Sequence, residues 1–196
     1  MNTDFGNVLL YGELSTDSPV TFDEIGNGYI YIEKVREDYT RHTRTVTKKD
    51  SNGNTYTETE VYYSWDYVSS EHLATDTIVF LDEPFSYGTI TLPVRRLNLA
   101  DAGVEKQRWN YIYKNSDTRY YYNVTDVSLV GTVFATLSDG TIKNASSLYE
   151  NDTPTEVIES VQQSETLYLI FFWLAWVVFM VGCVYGFLYL ENRWLD

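Results

Sequence analysis

Leu167–Leu190 reads LYLIFFWLAWVVFMVGCVYGFLYL, with no charged side chain between Glu165 and Glu191. An apolar run of this length exceeds what a soluble core helix needs and predicts a bilayer-spanning helix over 166–190. At about 1.5 Å per residue it reaches about 36 Å, longer than a hydrocarbon core of about 30 Å, so a modest tilt is expected. Fourteen of its residues are Leu, Ile, Phe or Val. Each favours insertion by about 0.3–0.6 kcal/mol, or about 4–8 kcal/mol together. Tyr168 and Trp173 toward one end, and Tyr185, Tyr189 and Trp194 toward the other, are placed as interfacial anchors. Gly182 and Gly186 form a GxxxG pair, with Ala175 on nearly the same face. Small residues let a second helix approach closely where lipid supplies no hydrophobic drive, so lateral contact with another membrane protein or with a second copy is expected there.

Outward from this segment, residues 191–196 form a short tail, 153–165 read as a linker or short helix carrying Pro154, and 1–152 form the remaining domain. The flank before the helix holds Glu156, Glu159 and Glu165, whereas the tail holds Arg193. That bias places the tail in the cytoplasm and the domain on the other side. Met1–Tyr11 shows no basic segment leading into an apolar run, so no signal peptide is expected. Export then requires an anchor encoded upstream or an unusual route, and a tail-anchored cytosolic adaptor is the competing arrangement.

Within 196 residues, 28 acidic side chains against 14 basic ones give a net charge of -14. Such a surface repels phosphate backbones and anionic headgroups, which argues against nucleic acid as a partner and against polybasic membrane docking. A hydrophobic content of 44% suffices for a packed core. The one cysteine, Cys183, lies in the apolar segment, so the domain is held by packing and sheet hydrogen bonds rather than a disulfide.

Residues 7–14, 29–37, 77–81, 89–92, 109–114, 119–124 and 128–137 are rich in Tyr, Val, Ile, Phe and Thr and are separated by turn residues. They predict a mainly β domain, an antiparallel sandwich or partly open barrel. Only 98–107 carries a hint of helical periodicity. The clearest local feature is a long protruding hairpin centred on Asn52-Gly53, the preferred pair for a two-residue type I′ turn. On that register Ser51 faces Asn54, Thr47 faces Glu58, Thr45 faces Glu60, His42 faces Tyr63 and Thr40 faces Trp65. Arg41, Arg44, Lys48 and Lys49 then meet Glu58 and Glu60 across the ribbon. Long polar ribbons serve recognition or assembly, which makes Arg44, Asn52, Gly53 and Glu60 the candidate partner-binding residues. A solvated ribbon without a partner is the plainer alternative.

Motifs for chemistry are sparse. His42 and His72 lack metal-ligand spacing, so no metal site is expected. Asp50, Asn52 and Asn54 imitate the opening of an EF-hand loop, but Thr55 stands where Gly is required and Val61 where the bidentate Glu belongs. No GxSxG, P-loop or GxGxxG occurs. No enzyme activity, no cofactor and no small-molecule ligand are expected. Sequons at Asn123, Asn144 and Asn151 matter only in a eukaryotic secretory pathway. Tyr120, Tyr121 and Tyr122, with Tyr111 and Tyr113, form either half-buried sheet packing or a sticky platform.

Gly12, Pro19, the strand Tyr29-Ile-Tyr-Ile-Glu33, the polar hairpin and Trp65 followed by Val68 together resemble, over residues 7–92, the membrane-adjacent domain of LUMA-type and GIDE/MULAN-type proteins. They also resemble uncharacterised membrane proteins of bacteria and mobile elements. The resemblance implies a β domain on the noncytoplasmic side. The chain departs in showing no preceding helix and no RING, so ligase activity is not implied. The reading that results is a single-pass, membrane-anchored interaction or assembly module. The alternative is a membrane-bound enzyme or ligand-binding protein whose site is built from dispersed carboxylates and tyrosines.

Overall fold

A computed structural model of the chain describes residues 6–105, 107–138 and 141–194. The chain divides into a β unit, Met1–Asn151, and a helical unit, Asp152–Asp196. The strands are β1 (Gly6–Ser15), β2 (Tyr31–Lys49), β3 (Thr55–Ala74), β4 (Thr77–Phe80), β5 (Glu83–Ser86), β6 (Arg95–Arg96), β7 (Ile112–Tyr113), β8 (Thr118–Thr125), β9 (Ser128–Ser138) and β10 (Thr141–Glu150). The helix α1 spans Pro154–Trp194. The chain is therefore mainly β with antiparallel sheets and one C-terminal helix. One sheet runs β10-β9-β1-β4-β5; the other runs β3-β2-β8-β6, with β7 also paired to β8.

Each sheet has its own core, because alternating strand residues place one face inward. Leu14, Ile78, Phe80, Leu129, Val133 and Leu148 close the first together with Ile30 and Ile90. Ile32, Tyr122 and Val124 close the second, covered by Ile25, Leu97 and Leu99 from loops. A polar seam joins them: Thr75 N donates to Ile30 O at 2.9 Å, and the Thr16 and Thr75 hydroxyls, 2.9 Å apart, both reach Thr77 O.

The distal hairpin lies one residue away from the register expected around Asn52-Gly53. Arg44 faces Glu60, Thr47 faces Thr57 and Lys49 faces Thr55. Asp50 N donates to Asn54 O and Gly53 N to Asp50 O, which closes a three-residue loop with Gly53 in the left-handed region (φ 84). This is the turn-plus-bulge solution rather than the two-residue one. Asp50 decides it, since its Oδ1 accepts both Asn52 N and Asn54 N at 2.8 Å, an Asx-turn that a two-residue loop does not accommodate. Below a register shift between Arg36 and Glu37 the pairing changes by one. Val68, skipped there, is the bulged residue.

Two-residue turns occur where nothing in the sequence announces them. Leu81 and Asp82 (φ 52 and 65) connect the paired residues Phe80 and Glu83, a conformation disfavoured for leucine. The Leu81 side chain lies over Gly12, where any Cβ would overlap it. Strand β5 follows this turn, while 89–92, expected as a strand, contributes only the isolated bridge Thr91↔Ser147. Trp109 and Asn110 (φ 57 and 61) make a second such turn between Arg108 and Tyr111. Of the strand expected over 109–114, only Ile112–Tyr113 remains. Among the described residues of 98–107 no helix forms. One helical turn forms, Ala102 N to Asn98 O, and Gly103 (φ 72) ends it. Strands β6 and β10 had no clear sequence signature, β10 being polar and irregular against β9.

Of the two readings of 153–165, linker or short helix, the chain takes the helical one from Pro154 onward. Thr153 Oγ1 and Glu156 bond each other in a reciprocal cap, with Glu156 Oε2 accepting Thr153 N at 2.8 Å. Pro154 occupies the first helical position, where its missing N–H is no loss. The helix is long and apolar enough to cross a membrane, with mean hydropathy 2.4 in its most apolar window.

Candidate functional site

The two faces of the β2–β3 ribbon differ in chemistry. Even-numbered residues carry the cross-strand ion pairs, while Arg41 and Lys49 fall on the odd face opposite Tyr63 and Thr55. Arg44 Nη2 donates to Glu60 Oε2 at 3.0 Å, and Lys48 Nζ reaches Glu58 at 2.9 Å and Glu60 at 3.1 Å. Hydrogen bonds from Lys48 and then Arg44 hold the Glu60 carboxyl below its ordinary range. These pairs are open to solvent, so they fix side-chain geometry and surface sign more than stability. Nearer the sheet, His42 stacks on Tyr62, ring centroids 5.2 Å apart, and its Nε2 lies 2.5 Å from Asp66 Oδ2. Ser64 Oγ donates to the other oxygen of Asp66 at 2.8 Å. The three residues of a hydrolase triad thus meet, but in an order in which serine bonds the carboxylate instead of the imidazole. That arrangement does not activate a nucleophile.

The odd-numbered face carries aromatics. Tyr39 stacks on Tyr63 with centroids 5.5 Å apart and lies 5.2 Å from Trp65. The Arg119 guanidinium sits between Trp65 and Tyr111, at 4.2 and 3.7 Å from their ring centres. Arg96 lies 4.7 Å from Tyr111 and 3.9 Å from Tyr121. The result is a ladder, Trp65–Arg119–Tyr111–Arg96–Tyr121, built from β3, β6, β8 and the β6–β7 loop. Arg119 Nε donates to Glu37 at 2.7 Å, both side chains less than a fifth exposed. Partial burial, reinforced by Glu37, raises the Tyr121 phenol pKa. Trp109, 80% exposed, tips the strained turn that precedes Tyr111. Asn110 fixes that turn by donating to Leu97 O at 2.9 Å and accepting from Leu99 N at 2.8 Å.

On the opposite side of the sheet, Lys34 Nζ lies 2.5 Å from Glu24 and over the Tyr120 ring at 4.8 Å. Tyr122 donates to the same carboxylate at 2.7 Å. Burial works to raise the Glu24 pKa, but the bonds from Lys34 and Tyr122 outweigh it and lower the value. The same bond to Glu24 overcomes desolvation and raises the Lys34 pKa. This network is a structural clamp of the second core.

Of the expected partner-binding residues, Arg44 and Glu60 meet each other, while Asn52 and Gly53 form the exposed tip. In α1, Ala175 is exposed, and a Cβ at Gly182 or Gly186 meets nothing within 4 Å. Tyr168, Trp173 and Tyr185 are exposed; the side chains of Tyr189 and Trp194 lie outside the described residues, as do those of Glu165, Arg193 and Asn144. Asn123 is tied to Glu33 at 2.9 Å, whereas Asn151 is exposed at φ 61. The residues missed in sequence are Arg96, Arg119 and Trp109. The alternation of Arg119 with Tyr121 on one strand was the available signal for the ladder; nothing local marked the Trp109 turn.

Among the described residues no cluster of three or more His, Cys, Asp and Glu side chains converges on a metal position. A surface depression of about 420 Å³ adjoins Tyr29, Arg95 and Asp126, and its Arg95 and Asp126 neutralise each other through two bonds of 2.7 and 2.5 Å. No family model, curated protein or solved structure matches the chain.

Proposed function

We propose that the chain is a single-pass, membrane-anchored interaction or assembly module without catalytic activity, its β domain on the noncytoplasmic side. The observation that carries this reading is a long apolar helix, exposed along Leu167–Leu188 except at Gly186, in a chain that also exposes Tyr39, Tyr56, Tyr62, Tyr63 and Tyr67 on its protruding ribbon. Apolar surface of that extent requires lipid or protein around it. Exposed tyrosine and tryptophan on rigid strands suit protein recognition, since they bring large contact area at low entropic cost. The acidic flank before the helix, against Arg193 after it, supports the outward orientation. The resemblance to membrane-adjacent domains of LUMA-type and GIDE/MULAN-type proteins points the same way.

The test is topology. With Cys183 replaced by Ser and Ser51 by Cys at the hairpin tip, intact cells are treated with a membrane-impermeant maleimide. Labelling before lysis supports the outward module; labelling only after lysis makes the protein a tail-anchored cytosolic adaptor. Release of the chain from membranes by alkaline carbonate refutes anchoring altogether.

A further inference from the structure

We propose that two copies of this chain join edge to edge along β3, antiparallel, about a two-fold axis normal to the sheet at Val61. This deepens the module reading by naming its partner as a second copy, and rests on it.

Strand β3 ends its sheet, and among the described residues no strand pairs with its outer edge. Natural sheets blunt such edges with charged side chains, lysine above all, and with proline, short strands or bulges; on the regular part of β3 the charges are Glu58, Glu60 and Asp66, all even-numbered and engaged with Lys48, Arg44 or His42. Thr55–Ala74 contains no Lys, Arg, Pro or Gly, and its bulge at Val68 leaves a regular edge from Thr55 to Tyr67. Because Asp50 N donates to Asn54 O, alternation turns the even residues of β3 toward β2 and the odd ones outward. Tyr39 N, which bonds Asp117 O at 2.8 Å on the far side of β2, obeys the same parity. The N–H and C=O groups of Thr55, Thr57, Thr59, Val61, Tyr63, Trp65 and Tyr67 therefore form a ready ladder edge. Moreover, β8 pairs with β2 only as far as Asp38, so the ribbon beyond is two-stranded, a marginal structure that added strands would reinforce.

Side-chain chemistry favours a like partner and, among the registers that pair the middle of Thr55–Tyr67, the one centred on Val61. Centred on Val61, the odd face sets Val61 against Val61, Thr59 against Tyr63 and Thr57 against Trp65, the β-branched and aromatic combinations that favour cross-strand pairing. The even face sets Glu60 against Tyr62, Glu58 against Ser64 and Tyr56 against Asp66, with no like charges opposed. Centring on Glu60 opposes Glu60 to itself. Centring on Thr59 opposes Glu58 to Glu60, on Tyr62 Glu58 to Asp66, and on Tyr63 Glu60 to Asp66. A parallel in-register pairing stacks glutamates. The overall charge of -14 disfavours association in general, but Glu60 is already paired with Arg44 and Lys48. A two-fold axis normal to the sheet keeps the aromatic–arginine faces of both copies on one side.

The experiment uses the full chain in membranes with Cys183→Ser. Val61 is 47% exposed, so its replacement leaves the core intact. Under mild oxidation Val61→Cys gives a disulfide-linked dimer about tenfold or more faster than Thr59→Cys, since paired residue-61 Cα atoms fall within the ~4–7 Å disulfide range. Residue 59 of one copy lies about 13 Å along the strand from residue 59 of the other. Val61→Lys and Val61→Glu each lose the dimer alone, and coexpression of the two restores it. Equal crosslinking at 59 and 61, or a dimer that survives Val61→Lys, overturns the pairing. Alkaline carbonate separates the two levels: a chain retained in membranes without the position-specific crosslink refutes self-pairing only, whereas a chain released refutes the anchored-module reading.

Discussion

Replacing Arg119 with alanine removes the guanidinium wedged between Trp65 and Tyr111 and the partner of Glu37 in one step. Each stacked ring contributes about 0.5–2 kcal/mol, the upper end applying where water is excluded. The bond to Glu37 at 2.7 Å is charge-assisted, a class contributing about 1.5–3 kcal/mol. With Arg119 and Glu37 at 14% and 17% side-chain exposure, solvent compensates little for their loss. The three contributions share one side chain and do not add fully, so the expected cost is about 3 kcal/mol. For a domain of this size that lowers Tm by about 6–12 °C. Arg119→Lys keeps the charge but not the plane that stacks on both rings, and about half the loss is expected. The assay is thermal unfolding of the full chain in a nonionic detergent, followed by near-UV circular dichroism, which reports the ring stack directly. A shift below about 2 °C for Arg119→Ala, outside the range above, refutes the ladder as a stabilising element. Lysine indistinguishable from arginine refutes the stacking part while leaving the ion pair.

Gly131→Ala is expected to cost about 3 kcal/mol or more by overpacking, because its Cβ would overlap the Tyr149 carbonyl and lie 2.9 Å from its carbon. Thermal melts should show this large loss beside an unchanged β domain for Gly182→Ala. Glu24, lowered from 4.5, contributes stability that is fully present above about pH 4.5 and is lost as pH falls through its folded value. The difference in urea midpoint between wild type and Glu24→Gln should therefore be constant near neutrality and shrink in acid; a constant difference down to pH 3 contradicts the clamp. Asp50→Ala removes the acceptor of Asn52 N and Asn54 N. Hydrogen exchange should accelerate at those two amides while the amides of β8 stay protected, and protection equal to wild type at the tip would reject the Asx-turn as the register-setting device.

The antiparallel strands containing Val8–Leu10, Tyr120–Val124 and Ser128–Leu137 were legible because alternation of apolar residues is a local pattern. The hairpin's existence was legible too, in Asn52-Gly53 between β-rich arms. Its register was not: Asp50 outcompeted the two-residue turn by bonding two amides, and the bulge at Val68 reset the pairing further down. The turns at Leu81-Asp82 and Trp109-Asn110 were invisible because Leu81 and Trp109, at their first positions, do not favour positive φ, and Asp82 and Asn110 alone do not mark a turn. Contacts distant in sequence accompany them, Leu81 over Gly12 and Asn110 on Leu97 and Leu99.

By itself the sequence determined the apolar helix, the β class, the acidic composition and the polar ribbon, since each rests on composition or on a period of a few residues. Tertiary structure alone decided which faces those strands share. It placed Arg119 and Arg96 among aromatics from four segments, drew Glu37 to Arg119 across 82 residues, and left β3 as an open edge. Such juxtapositions depend on strand order and register, which are set by the packing of the whole sheet.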